Sequence, residues 1–390
     1  MTLAQKAGID PGPNAYLVGK PGSRNELDTP ALLIDLDAME ANISAMAAHC
    51  AKTGQALRPH TKTHKSVEIA RRQVAAGAVG VCCATLGEAE IMGRAGIPGV
   101  HITSPVVRAN RIQRLIELNA VADGLSVVVD HPDNLEALAA AAAAAGQRLR
   151  VMIDIDVGSR RTGVPSAQQA VALARQADAA SALDYVGVQG YAGSLQHVYA
   201  WEDRVARGQE VADFLAETQR QLQTAGLEAP IITGGGTGTH DMDWRQGVLN
   251  ELQAGSYVFL DRDYQDVVHL AEATNRFRES LFVQSSVVSA AHDDCVTTDA
   301  GLKAFATDSG LPALRRGAPG GATYAFAGDE HGRITFTGGD RIGLGDVVEC
   351  LAPHCDPTVN LYSVYHVVRG DTLVDIWPVD TCLLYTSDSA

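Results

Sequence analysis

The stretch LSVVVDHPDNLEALAAAAAAAGQRLRVMIDIDVG, Leu125–Gly158, decides the fold. A short β-branched run opens it, the alanine-rich segment NLEALAAAAAAAG follows, and a second apolar run, RVMIDIDVG, closes it. Alanine, leucine and glutamate are strong helix formers, whereas short runs of valine and isoleucine read as strands. Strand, helix and strand at this spacing imply parallel strands joined by a right-handed crossover.

The same unit recurs on both sides. Upstream, ALRPHTKT leads into a helix near Ser66–Ala76, GVCCAT into LGEAEIMGRAG, and GVHITS into ANRIQRLIELNA. Downstream, RVMIDIDVG precedes SAQQAVALARQADAA, YVGVQGYAG precedes the long WEDRVARGQEVADFLAETQRQLQTAG, and PIITGGGTG precedes WRQGVLNELQAG. SYVFLD closes the series as a last strand, with a helix expected near QDVVHLAEA. Eight such steps in about 210 residues fit a closed (β/α)8 barrel of the TIM type better than a doubly wound open sheet.

An earlier apolar run, PALLIDLD at Pro30–Asp37, makes a ninth strand for which an eight-stranded barrel has no room. After about residue 271 the texture changes to short strand-like runs punctuated by Gly, Asp and Asn, among them SLFVQSSVVSA, ATYAFAG, GRITFTG and NLYSVYHVVRG. These read as a C-terminal antiparallel β domain, which also takes the spare N-terminal strand. The expected division is an N-terminal extension at 1–27, the barrel at 28–270, the β domain at 271–380 and a tail at 381–390.

Composition narrows the function. The formal charge of −15 over 390 residues repels phosphate, which argues against nucleic acid and against anionic membrane surfaces as partners. No apolar run approaches the length of a membrane span, and the N-terminus lacks the pattern of a signal peptide. Seven scattered cysteines without a CxxC pair suggest neither a disulfide framework nor a zinc cluster, so a reduced, cytoplasmic protein is expected.

Three motifs carry chemistry. In RPHTKTHK, Arg58–Lys65, an extended chain puts Arg58, His60, Lys62 and His64 on one face. Lys62 then lies near the C-terminal end of a barrel strand, where barrel enzymes place their active sites. Lys65 follows at the entry to a helix capped by Ser66. In TGGGTG, Thr233–Gly238, three glycines after a strand let backbone N–H groups approach an anion, and AGSY, Ala254–Tyr257, is a second small-residue turn nearby. An amine facing a phosphate cradle suggests pyridoxal phosphate, which needs a lysine for the Schiff base and an anchor for its phosphate. In PHCDPTVNLY, Pro353–Tyr362, an extended backbone points His354 and Asp356 the same way and Cys355 the other. An imidazole with a carboxylate suits a divalent cation such as manganese, magnesium or cobalt, completed by water.

These motifs, in this order, resemble the D-threonine aldolase and D-serine dehydratase family of fold-type III pyridoxal-phosphate enzymes. That family combines an alanine racemase-like barrel with a β domain. The resemblance runs over nearly the whole chain and is specific in RPHTKTHK, GYAGSLQH, TGGGTGT, ELQAGSY, DEHG and HCDPTVNLY. It implies that Lys62 carries the cofactor and that Arg161 touches it. Gln189 and Tyr191 would face the cofactor ring, and Gly235, Gly236, Thr237, Ser256 and Tyr257 would bind its phosphate. His354 and Asp356 would hold the metal, with manganese the first choice, and His197 would lie near the metal and the substrate hydroxyl.

The implied activity is that of a carbon–carbon lyase. It cleaves a D-3-hydroxy amino acid of the D-threonine type, a small-molecule substrate, to glycine and an aldehyde, and its relatives are homodimers. The alternative on the same scaffold is a D-serine or 3-hydroxyaspartate dehydratase. Dehydratases of this group carry His-x-Cys at the metal position, so Asp356, with Cys355 one residue off, favours the aldolase branch. A second departure is YAG, with Ala192 where relatives often carry histidine.

Overall fold

The computed structural model describes residues 1–267, 277–337 and 341–380. Strand β1 (Ala31–Asp35) stands apart from the parallel series that follows it. That series is β2 (Ala56–Leu57), β3 (Val81–Cys83), β4 (Val100–Ile102), β5 (Ser126–Val129), β6 (Leu149–Asp154), β7 (Leu183–Gly190), β8 (Ile231–Gly234) and β9 (Glu251–Leu252). Neighbours pair in chain order from β3 to β9, and β9 then pairs with β2. The ring closes where His60 bridges Cys82 in parallel, with the Cys82 N–H donating to the Pro59 carbonyl at 2.9 Å. The expected eight-stranded barrel is therefore present.

Each crossover helix docks an apolar face on this ring. In Pro132–Ala144, Leu135, Leu138 and Ala142 are buried in the core that also takes Val127, Val129, Val151 and Ile153 from the strands. Burying a leucine fully contributes about 1.5–3 kcal/mol, so a few such contacts decide the docking. Ser66, Thr85 and Ser166 cap three of the helices by accepting a backbone N–H three residues on.

The last barrel steps differ from expectation. The helix after β8 is His240–Gln246 and stops at Gly247, whose φ of 70° is the left-handed conformation that ends helices. The final strand is Glu251–Leu252, paired with Leu57 and Gly234, and SYVFLD instead begins with a 3-10 turn at Ser256–Val258. Both glycine turns thus follow a strand at the same end of the barrel. Of the helix expected near QDVVHLAEA, the described part holds only the end of the short helix Arg262–Gln265; residues 268–273 and the boundary at 270/271 lie outside the described residues, as does the tail 381–390.

The second sheet comprises β1 with β10 (Leu281–Ser289), β11 (Cys295–Thr298), β12 (Ala313–Arg316), β13 (Thr323–Phe326), β14 (Gly332–Thr335), β15 (Val347–Leu351), β16 (Val364–Arg369) and β17 (Thr372–Pro378). The spare strand is central to it: β1 pairs antiparallel with β10 and parallel with β16. Alternation along β1 then serves two cores. Leu32 and Ile34 pack with Met39, Met46, Tyr257 and Phe259, on the side that joins the barrel. Ala31 and Leu33 face the opposite way and are covered by Ala4, Leu17 and Leu27 of the N-terminal segment.

Candidate active site

The chain leaves β2 earlier than the alternation in RPHTKTHK implies. His60 is still extended, but Thr61–Thr63 form a 3-10 turn whose first hydroxyl donates to the Cys82 carbonyl at 3.0 Å. The four basic residues therefore do not share a face. Arg58 is buried in a bidentate pair with Glu251, at 2.9 and 2.8 Å, and the low-dielectric interior keeps both charged only because they meet. His64 is buried, its Nδ1 accepting from the Ser66 N–H, and burial pushes its pKa down to about 4. Lys65 binds Asn360 Oδ1, and its carbonyl accepts from the Asp380 N–H. Lys62 alone opens to the mouth, with its side chain 41% exposed.

Lys62 Nζ lies 2.5 Å from Asp356 Oδ2, an ion pair between the barrel and the second sheet's domain. Asp356 raises the lysine above its ordinary range. Burial pushes the Asp356 carboxyl up, but Lys62 and His354 outweigh it and hold it at about 2. The motif around Asp356 is not extended. His354 is the last extended residue before the short helix Cys355–Val359, so Asp356 reaches Lys62 from a helical turn. The Thr358 hydroxyl, donating to the His354 carbonyl at 2.7 Å, closes that turn.

The segment Asp261–Asp263 registers this turn on the barrel. Cys355 N–H donates to Asp261 Oδ2 at 2.8 Å, while the N–H groups of Arg262 and Asp263 donate to the carbonyls of Ala352 and Pro353. His197, at the end of the turn Gly193–His197 after β7, lies with Nδ1 3.0 Å from Asp263 Oδ2. His354 Nδ1 lies 2.6 Å from Asp308 Oδ2, and the neighbouring Ser309 hydroxyl reaches Asp263. Two His–Asp pairs thus stand side by side, joined through residues 308 and 309.

Tyr191 ends the β7 side of the mouth, with the Arg161 guanidinium 5.5 Å above its ring. Burial raises the Tyr191 phenol, and the nearby Lys62 and Arg161 charges oppose the rise. Gln189, one turn of the pleat earlier, does not reach the mouth. Its amide contacts His101, Gln253, Asp154 and the Thr103 carbonyl, which makes it part of the polar filling of the barrel.

The glycine turns form one structure. Gly235 has φ 64°, and a Cβ there would run into the Asp243 carboxylate. A Cβ on Gly236 would strike the Gln196 side chain, so neither position admits another residue without a shift. Thr237 Oγ1 accepts from the Tyr257 N–H at 3.0 Å and ties the two turns together. Ser256 Oγ lies 3.5 Å from Thr63 Oγ1, beside Lys62. Tyr257 offers only its backbone to this region: its ring is fully buried and its hydroxyl accepts from Gln73.

Asp261, Asp263, Asp308 and Gln196 escape the motif reading. Carboxylates in DRD directly after a strand-end turn are a usable signal for the first two. Asp308 has none, because it reaches His354 only through the fold.

The residues present fit both groups that the fold family implies. For pyridoxal phosphate there is a half-exposed lysine on the segment whose Thr63 hydroxyl meets Ser256, and a glycine turn tied to that of Ser256 through Thr237. For a divalent cation, Asp356 Oδ1 is buried without a hydrogen-bond partner among the described residues, next to an imidazole. No group of three or more His, Cys, Asp or Glu placed to hold a metal ion occurs among the described residues, so His354 and Asp356 would be the two protein ligands, with water completing the shell.

Barrel, lysine, glycine cradle and overhanging His-x-Asp turn define a two-domain barrel enzyme. Residues 34–263 match the alanine racemase N-terminal domain and residues 280–368 the putative serine dehydratase domain. D-threonine aldolase of Arthrobacter sp. is 40% identical over 354 residues, 90% of this chain and 92% of that protein. 3-Hydroxy-D-aspartate aldolase of Paracoccus denitrificans (strain Pd 1222) is 37% identical over 360 residues, covering 91% and 92%. The crystal structure of D-threonine aldolase from Filomicrobium marinum superposes with a TM-score of 0.86 at 37% identity, covering 92% of this chain and 96% of that one. The chain belongs to the D-threonine aldolase family, and it is a lyase.

Proposed function

We propose that this enzyme cleaves D-3-hydroxy amino acids of the D-threonine type to glycine and an aldehyde, using pyridoxal phosphate and a divalent metal, manganese first. The observation that supports this reading is the Lys62–Asp356 contact, which brings the lysine proposed for the cofactor to 2.5 Å from the carboxylate proposed for the metal. Pyridoxal phosphate, when bound, supplies an electron sink beside the substrate Cα, and the cation a Lewis acid at the β-hydroxyl.

The chain's own residues do the rest. Lys62 would hold the cofactor aldehyde, Gly235, Gly236, Thr237 and Ser256 would seat its phosphate with the backbone of Tyr257, and Arg161 and Tyr191 are the neighbouring residues that would contact it. Gln189 acts from below by fixing the barrel filling. His354 and Asp356 would hold the cation that orients the β-hydroxyl, and His197 would accept that hydroxyl's proton as the Cα–Cβ bond breaks. Residues 28–270 carry the cofactor and residues 271–380 the metal ligands.

The aldehyde branch is favoured over β-elimination because the group two residues after His354 is a carboxylate, while the Cys355 thiol is buried. Among the described residues no helix is long and apolar enough to cross a membrane. The six described cysteines are unpaired, which supports a cytoplasmic setting. A homodimer is proposed from the family resemblance. Incubation with D-threonine, D-serine and 3-hydroxy-D-aspartate, with and without EDTA, tests the reading. Glycine and aldehyde that vanish with chelator are expected; ammonia and a keto acid, or chelator-insensitive turnover, overturn it.

A further inference from the structure

Asp263 has no place in the motifs, yet it organises one side of the mouth. Its carboxylate receives His197 Nδ1 at 3.0 Å, the Tyr199 hydroxyl at 3.2 Å and the Ser309 hydroxyl at 3.4 Å, and its own N–H donates to the Pro353 carbonyl. It sits in the short helix Arg262–Gln265, capped by Asp261, which at the same time holds the Cys355 N–H. One short segment after the last barrel strand therefore grips both the barrel's histidine and the turn that bears His354 and Asp356. The half-exposed His197 ring also packs 5.4 Å from Tyr264 of the same segment.

We propose that Asp263 is the positioning residue of His197: it holds Nδ1 as the protonated ring nitrogen and turns Nε2 toward the substrate's β-hydroxyl. A histidine held at one nitrogen by a carboxylate presents the other as a base in a defined tautomer. This inference rests on the role of His197 proposed above. Three bonds between Asp261–Asp263 and Ala352–Cys355 tie the carboxylate that holds this base to the His354–Asp356 turn.

The charged groups facing His197 are Asp263 and Asp261, which raise its pKa, and Lys62 across the mouth, which lowers it. Tyr199 and Tyr264 are the other titratable neighbours, and both phenols are raised beyond their ordinary range. A base whose pKa is raised works only above that pKa. The acid limb of kcat is therefore expected to move to lower pH when the carboxylate is lost.

The test compares wild type, Asp263→Asn and Asp263→Glu. In Asp263→Asn, kcat on D-threonine should fall about 10–100-fold with KM little changed, and its acid limb should move to lower pH. Asp263→Glu should recover part of both. Independently of turnover, histidine-selective NMR of the full-length protein, with His197 assigned from His197→Gln, should show the His197 pKa falling in Asp263→Asn. A wild-type kcat, or an unmoved His197 titration in a variant with native circular dichroism, overturns the assignment. Absence of glycine and aldehyde from the wild type would instead sink the activity and leave the NMR result standing on its own.

Discussion

Lys62 Nζ and Asp356 Oδ2, 294 residues apart in sequence, meet at 2.5 Å across the junction of the barrel and the second sheet's domain. The pair keeps the lysine protonated and the carboxylate ionised. Both functions proposed for these residues require the pair to part, since the amine must be neutral to bond the aldehyde and the carboxylate must face a cation. Cofactor and metal loading are therefore expected to favour one another.

Lys62→Ala should abolish the visible absorbance that protein-bound pyridoxal phosphate gives in the wild type, leaving the spectrum of free aldehyde at most. A titration of the cofactor followed by absorbance checks this. A retained band would move the covalent attachment to another lysine.

Asp356→Asn and His354→Ala should each lower manganese affinity at least 10-fold, measured by calorimetry on protein loaded with cofactor. Added manganese should restore chelated wild type and fail to restore either variant at the same concentration. Equal affinity in all three would place the metal elsewhere.

Asp243, beneath the glycine cradle, is pushed by burial to about 7 although Thr239 and the Gly236 N–H oppose the rise. An acid whose folded pKa exceeds its unfolded value binds its proton more tightly when folded. That stability is present below about pH 4 and is lost progressively as pH rises to about 7. Asp243→Asn should remove this loss, so its stability relative to wild type should rise by on the order of 1–3 kcal/mol between pH 4 and pH 8. Thermal or urea unfolding across that range provides the measurement, and parallel pH curves for the two proteins would contradict it.

Arg58 opens the lysine motif but belongs to the barrel interior. Arg58→Ala strands the Glu251 carboxylate in low dielectric and should cost about 3–5 kcal/mol in urea unfolding. A loss below about 1 kcal/mol would contradict a buried pair and give Arg58 the energetics of a surface ion pair.

Much of this was written locally. The alternation around Leu125–Gly158 specifies parallel strands because helix and strand formers are cleanly separated there, and the ninth strand had to join another sheet because a closed ring has no edge. The glycine run after β8 was equally legible, since only glycine tolerates the close approach of Gln196 and Asp243. The side chains of the lysine motif were not. Their directions depend on where a strand ends, and β2 ends at Leu57 because Thr61 finds its acceptor on β3.

The sequence by itself determined the barrel and singled out Lys62 and the His-x-Asp motif as candidates, because propensity, glycine geometry and donor chemistry act over a few residues. Only the tertiary structure decided that Lys62 meets Asp356, that Arg58, Gln189 and the Tyr257 ring turn inward, and that Asp263 and Asp308 stand behind the two histidines. Those relationships join residues tens to hundreds of positions apart, and they are set by how the barrel closes and how the second domain packs on it, which no local pattern encodes.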